Sequence, residues 1–283
     1  MSLMETIKQL RQMTGCGIVD CKKALTETNA VLEDAVVWLR KKGIAKAAKK
    51  ADRDSNEGAV GVVTDGTWGA LLKVSSETDF VARNETFHTF VNALLDLIKA
   101  QKIETLEALE EATMSSGRLV KDELTQMVAV IGESLKLTAL ETCSVSKGLV
   151  ASYLHNVYAP GIAKIGVLVC LTSDAPADEL SELGDQLAMH VAANKPAALK
   201  RTDLDAAVLE KEKRVFLDEA KASGKPAAAL DKIVEGRLKK FCSEVVFEEQ
   251  PFIMDPKKSV QDVLAEKKAS PVVLSTFVML KVG

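Results

Sequence analysis

The stretch GAVGVVTDGTWGALLKVS, residues 58–75, decides the fold class. Val60, Val62 and Val63 form one β-rich run, Leu71, Leu72 and Val74 form another, and Thr64-Asp65-Gly66-Thr67 lies between them. Asp-Gly between two such runs is the strongest short-range hairpin signal, because the tight turn needs residues that tolerate positive φ. A second β region follows downstream. Leu135 to Glu141 and Gly148 to His155 alternate apolar and polar residues imperfectly, and Ile165 to Leu171 is an unbroken apolar run of strand length. Each region opens on Gly-x-Val (Gly58-Ala59-Val60, Gly148-Leu149-Val150). A strand, a turn and a second aliphatic strand come next, then Ser/Thr-Asp and an amphipathic helix. This repetition predicts an internally duplicated α+β core with antiparallel sheets. Helical periodicity fills the remainder at about residues 84–100 and 104–136.

Upstream of the first hairpin, three short apolar stripes predict a compact three-helix module: Ile7 and Leu10; Ile18, Cys21, Ala24 and Leu25; Leu32, Ala35, Val36 and Leu39. Thr14-Gly15-Cys16-Gly17 breaks the first pair, Asn29 is the expected N-cap of the third helix and Gly43 its expected C-terminal stop. So small a core suits a binding module better than an enzyme. Residues 40–53, RKKGIAKAAKKADR, carry seven positive charges and one negative. They read as a solvated helical linker or as a phosphate-binding patch, and the absence of interleaved aromatics favours the linker. Farther on, Leu204, Val208 and Val215 pair with Leu230, Val234, Leu238 and Phe241 across Ser223-Gly224-Lys225-Pro226. Such narrow seams predict an antiparallel coiled-coil hairpin protruding from the core. The expected divisions are 1–53, helical module; 54–141, first core unit; 142–200 with 242–270, second core unit; 201–241, arm; 271–283, C-terminal strand.

Composition narrows the function. The 283 residues carry 37 Lys and Arg against 40 Asp and Glu, a net charge of −3 that argues against a general nucleic-acid binder. No apolar run is long enough to span a bilayer, and the first residues lead into a charged amphipathic stretch without a secretory core. Five sparse cysteines (Cys16, Cys21, Cys143, Cys170, Cys242) fit reduced thiols in the cytoplasm. The chain has no phosphate-cradling Gly-x-x-x-x-Gly-Lys-Ser/Thr loop, no dinucleotide glycine fingerprint, no His-Glu-x-x-His and no Gly-x-Ser-x-Gly. No cofactor or metal is therefore expected. Cys16 and Cys21 read as packing residues. His190, on an apolar helix face, reads as a satisfied buried histidine, His88 as a surface residue, and His155 as the end of a strand.

The oddest local feature is Glu77-Thr78-Asp79-Phe80-Val81-Ala82-Arg83-Asn84, a Phe beside an Asp at a strand-to-helix junction. Two readings stand. Asp79 caps a helix and Phe80 anchors the core, or the pair forms an exposed tip that inserts a ring and a carboxylate into a partner.

Thr78 to Asn84 resembles the signature of the bacterial translation elongation factor Ts family. So do Thr14-Gly15-Cys16-Gly17-Ile18-Val19-Asp20-Cys21-Lys22-Lys23-Ala24-Leu25, Ile165-Gly166-Val167-Leu168-Val169, Met189-His190-Val191-Ala192-Ala193 and Val234-Glu235-Gly236-Arg237. The resemblance implies a guanine-nucleotide exchange factor for elongation factor Tu, not an enzyme. It also implies an N-terminal module similar to ubiquitin-associated domains and an arm used for dimerisation. By motif, Asp79, Phe80, Val81 and Ala82 would form the segment that dislodges the partner's Mg²⁺. Ile18, Val19 and Lys22 would dock on its nucleotide-binding domain, and Ile131, Gly132 and His155 would make further contacts. Two departures bear on His155: Ala163-Lys164 stands where the family commonly has Gly-Arg, and the turn after His155 is longer. From the helical module alone, the rival reading is a ubiquitin-like or peptide-binding adaptor. A small-molecule enzyme using His190 or Cys21 is the third.

Overall fold

A computed structural model describes residues 2–50, 52–223, 226–267 and 270–283. Helices α1 (Leu3–Thr14), α2 (Ile18–Glu27) and α3 (Leu32–Lys50) enclose a small core of Ile7, Leu10, Cys16, Cys21, Ala24, Leu25, Ala35 and Leu39. Ser2 starts α1 with a reciprocal capping box: its hydroxyl accepts the Glu5 N–H while the Glu5 carboxylate accepts the Ser2 N–H. Two expectations here need correction. Asn29 is not a cap. It sits with Ala30 at positive φ (+50° and +63°), and the Ala30 N–H returns to the Leu25 carbonyl, so Asn29 serves the end of α2 by tolerating the left-handed region. Gly43 does not stop α3, which runs on to Lys50.

The first core unit comprises β1 (Glu57–Thr64), β2 (Trp68–Ser76), α4 (Asp79–Ala82), α5 (Glu85–Gln101), α6 (Leu106–Glu111), α7 (Val120–Ile131) and β3 (Leu135–Ser144). The β1–β2 hairpin closes at Asp65-Gly66 as its sequence predicts. Residues 104–136 are not one long helix: Gly117 at φ +79° and the Thr113–Leu119 bridge turn the chain between α6 and α7. Leu135–Ser144 pairs with β2, so it closes the first sheet and does not open the second. Helix α3 lies against α7, which explains Gly43: a Cβ there would meet the Ala129 methyl at 3.1 Å. Arg40 pairs with Asp122 at 3.1 Å, the Gln126 amide donates to the Thr14 carbonyl at 3.0 Å, and Val130 packs into the module core. Of the basic run 40–53, residues 40–50 therefore continue a docked helix and do not form a free linker; Ala51 lies outside the described residues.

The second unit repeats the plan with β4 (Gly148–Ala159), β5 (Ile162–Thr172) and α8 (Ala177–Asn194). It then inserts α9 (Ala206–Ala222), α10 (Ala227–Val245), β6 (Pro251–Phe252), β7 (Asp255–Ser259) and α11 (Val260–Ala265), and closes with β8 (Val273–Lys281). In each unit the second hairpin strand is central: β1-β2-β3 and β4-β5-β8, all antiparallel. The start of β5 pairs with β1 through Ile162–Gly61 and Ala163–Val60, and from Ile165 onward β8 takes over that edge. This pairing joins the two expected antiparallel sheets into one six-stranded sheet.

Its two halves pack face to face over Val60, Leu71, Cys143, Val150, Leu168, Cys170 and Val282. Two glycines permit the approach. A Cβ on Gly69 would meet Val150 at 2.9 Å, and one on Gly166 would meet Val60 at 2.8 Å and Val62 at 2.9 Å. Helices α5 and α7 cover the outer face of the first half, and α8 with α11 covers that of the second. The four layers are thus helix, sheet, sheet, helix.

In the arm, α10 uses the predicted Leu230, Val234, Leu238 and Phe241, whereas α9 uses a seam one residue removed from the predicted one. Leu209, Phe216 and Ala220 face inward, while Val208 (41% exposed) and Val215 (42%) face out. Both sets share a seven-residue step, so periodicity alone does not choose between them, and the larger Leu and Phe take the seam. Phe216 meets Phe241 edge-on at 6.5 Å. The predicted stop and restart at Ser223-Gly224-Lys225-Pro226 falls between the end of α9, capped by Ser223, and the start of α10 after Pro226; Gly224 and Lys225 lie outside the described residues. Among the described residues no helix is long and apolar enough to cross a membrane.

His190 is fully buried, as its apolar helix face predicts. Nδ1 accepts the Ile253 N–H at 3.2 Å, so Nε2 carries the proton and donates to Gln250 Oε1 at 2.8 Å; Phe247 and Phe252 flank the ring. Burial holds its pKa below the ordinary histidine value, against a smaller opposing effect of Gln250. The unfolded chain therefore takes up a proton that the folded one refuses. Stability from this site is complete above about pH 6.5 and is lost as pH falls below it toward the folded pKa. The melting temperature should drop by a few degrees between pH 7.5 and 5.5. In His190→Leu it should start lower, because the Ile253 N–H loses its acceptor, and stay flatter over that range. Parallel pH slopes by calorimetry would exclude His190 as the source.

Candidate partner-binding surface

Strand β2 ends at Ser76, and the chain makes the single turn α4 before Asn84 caps α5 by accepting the Thr86 N–H at 2.8 Å. The turn is anchored on one side only: Val81 and Ala82 are buried in the first-unit core. Phe80 points the other way and is 80% exposed, the only aromatic among the exposed large hydrophobic side chains of the described residues. Of the two readings open for Phe80, the core anchor is therefore excluded. Burying such a ring would gain about 1.5–3 kcal/mol, a gain the isolated fold does not take. Asp79 is not the cap either. It is the first helical residue, and Thr78 holds the cap position.

Neighbouring groups fix the turn. His88 Nε2 lies 2.7 Å from the Ala82 carbonyl, so this histidine is half-buried and not a free surface residue. Glu133 accepts both the Thr78 N–H (3.0 Å) and the Thr78 hydroxyl (2.8 Å), and Glu77 accepts the Ser134 N–H at 2.7 Å. That N–H, followed by the Arg53 guanidinium at 3.1 Å, holds the Glu77 carboxyl below its ordinary pKa. The turn preceding Glu133 is Ile131-Gly132, where Gly132 ends α7 at φ +87°.

A groove of about 530 Å³ opens beside Asp79, lined by Glu57, Asp79, Arg83, Asn156, Val157, Tyr158 and Lys164. Arg83 lies 5.3 Å from the Tyr158 ring centre, a cation–π contact that links the first unit's tip to the second unit's hairpin. Burial raises the Tyr158 pKa, with Arg83 opposing. His155 is exposed but does not end its strand: β4 continues to Ala159, a register shift beyond Val157 and positive φ at Asn156 (+55°) absorbing the longer turn. The fold thus brings Asp79–Ala82, Ile131–Gly132 and the strand bearing His155 into one neighbourhood. Ile18 (53% exposed), Val19 (80%) and Lys22 lie on the open face of α2. The Glu133–Thr78 and Arg83–Tyr158 contacts leave no mark in the sequence, since no local pattern links residues 55 or 75 positions apart.

A family model described as Elongation factor TS matches residues 77–283. The chain belongs to the elongation factor Ts family. It is 47% identical over 282 residues to Elongation factor Ts of Rhodospirillum rubrum, covering 98% of this chain and 91% of that protein. Elongation factor Ts of Maricaulis maris is 47% identical over 283 residues, 98% of this chain and 90% of that protein. Elongation factor Ts of Zymomonas mobilis is 45% identical over 280 residues, 98% and 91% respectively. The family match begins at Glu77, so it takes in the whole Phe80 turn, and the relatives extend the similarity through the N-terminal module.

Proposed function

We propose that this protein is the guanine-nucleotide exchange factor of translation elongation, binding elongation factor Tu·GDP, dislodging its Mg²⁺ and promoting GDP release so that GTP can bind. The observation that carries this is the Phe80 ring, exposed beside the Asp79 carboxylate within the family match. Such a factor needs no covalent step. It acts by binding the nucleotide-free partner more tightly than the GDP-bound one, and linkage then weakens GDP by the same factor. Mg²⁺ is the largest local positive charge facing the phosphates, so displacing it removes much of what holds the nucleotide.

In this reading Asp79, Phe80, Val81 and Ala82 form the intruding segment, with Val81 and Ala82 as its buried base. Ile131, Gly132 and His155 widen the contact. Ile18, Val19 and Lys22 dock the helical module on the partner's nucleotide-binding domain. The chain divides functionally into that module, two core units and the arm. Outward-facing Val208 and Val215 support self-association through the arm. An adaptor binding ubiquitin-like or peptide cargo would use the open face of α2 but leave the Phe80 turn without a role.

Release of fluorescent GDP from elongation factor Tu tests the reading. Substoichiometric protein should accelerate release many-fold and turn over. Release at the intrinsic rate, despite a stable folded protein, would exclude it.

A further inference from the structure

Two loops meet beneath Phe80, and each sends a carboxylate to the other's backbone. From the loop between α7 and β3, Glu133 takes the Thr78 N–H on Oε2 and the Thr78 hydroxyl on Oε1. From the loop after β2, Glu77 takes the Ser134 N–H. Ser76, fully buried, donates its hydroxyl to the Thr78 carbonyl at 2.8 Å. Thr78 thus has its N–H, hydroxyl and carbonyl all engaged by groups outside α4.

That engagement is unusual for its position. A threonine at a helix N-cap ordinarily turns its hydroxyl inward to accept an N–H of the first turn, whereas here no side-chain cap bond forms. A four-residue helix makes too few bonds of its own to hold its shape. Its orientation must come from its supports, and bonds to an ionised carboxylate are the strongest of these.

We infer that Glu133 is a positioning residue for nucleotide exchange. Through Thr78 it sets the angle at which the Asp79-Phe80 turn meets the partner. It also locks that turn to Ile131-Gly132, so two stretches 55 residues apart present one rigid surface. Lys50 extends the lock, its ammonium donating to the Gly132 carbonyl from the end of α3. The inference rests on the exchange-factor reading for its consequence, but the brace is measurable without the partner.

The test uses the full-length protein with Glu133→Gln, which keeps size but sets an amide where two acceptors stood, and Thr78→Val, which keeps shape but removes the hydroxyl. In the isolated protein, amide exchange by NMR should show Thr78 protection falling roughly tenfold in Glu133→Gln. The melting temperature should stay close to wild type in at least one of the two variants. Maximal GDP release at saturating factor should fall roughly fivefold to tenfold, more than the concentration for half-maximal effect rises. The deciding arm is the Phe80→Ala background, in which neither substitution should slow release further, because a brace without a ring has nothing to aim. Equal slowing in both backgrounds, or wild-type release by both variants, would overturn the inference. Wild-type protein that fails to release GDP would overturn the exchange reading instead, leaving Thr78 protection to decide the brace.

Discussion

Phe80→Ala should slow GDP release from elongation factor Tu about tenfold or more while leaving the melting temperature of the isolated protein unchanged. The two halves of this expectation have separate causes. Phe80 is 80% exposed, so truncation removes little burial from the free protein. An aromatic ring that becomes buried in a partner commonly behaves as a hot spot, costing about 2 kcal/mol or more when removed. The loss should be largest with Mg²⁺ present, because the ring acts by shifting partner side chains that organise a hard ion with strict geometry. In chelator the gap between wild type and variant should narrow. Asp79→Ala should act in the same direction, and the double variant should lose less than the sum, because both side chains belong to one turn. Normal exchange by a folded Phe80→Ala protein would exclude the intrusion mechanism for this chain.

What is legible in the sequence depends on the range of the interaction concerned. The hairpins and their duplication are local signals, and Asp65-Gly66, the Gly-x-Val starts and the aliphatic runs disclose them. Helix ends are weaker. Gly43 reads as a stop because glycine costs about 1 kcal/mol in a helix, yet docking of α3 on α7 outweighs that cost, and nothing near Gly43 announces Ala129. The arm's inner face is ambiguous for a similar reason: Val208/Val215 and Leu209/Phe216 share one period, and side-chain size decides. At the candidate site, Asp79-Phe80 is conspicuous as a motif, but its sequence fits a buried ring as well as an exposed one. The direction of Phe80 is fixed by its neighbours, since Val81 and Ala82 occupy the core and leave the ring outside. Glu133 is invisible at that level, because its partner Thr78 is reached only once β2, β3 and α7 are assembled.

The duplication itself makes the second strong prediction. Gly58, second in β1, and Gly148, first in β4, stand at the heads of the two units' first strands at φ +123° and +122°, a region that residues with a side chain rarely adopt. A Cβ on Gly58 would land on the Val74 carbonyl oxygen and 2.8 Å from the Ser75 Cα. One on Gly148 would land on the Leu171 carbonyl and 3.0 Å from the Ser173 nitrogen. In both cases the obstacle is the backbone of the central strand, which cannot rotate away as a flexible side chain could. Gly58→Ala and Gly148→Ala should therefore each combine backbone strain of about 1–3 kcal/mol with a broken register at the head of a sheet. Each should lower the melting temperature by roughly 10 °C or leave the protein unfolded on expression. Gly236→Ala is the matched control. It lies inside α10 with nothing within 4 Å of an added Cβ, so helix propensity should raise stability by up to about 1 kcal/mol. Similar losses at the two strand heads would show one backbone device serving both units. If either variant melts within two or three degrees of wild type, the central strand at that position can yield, and the equivalence of the two units ends at their topology.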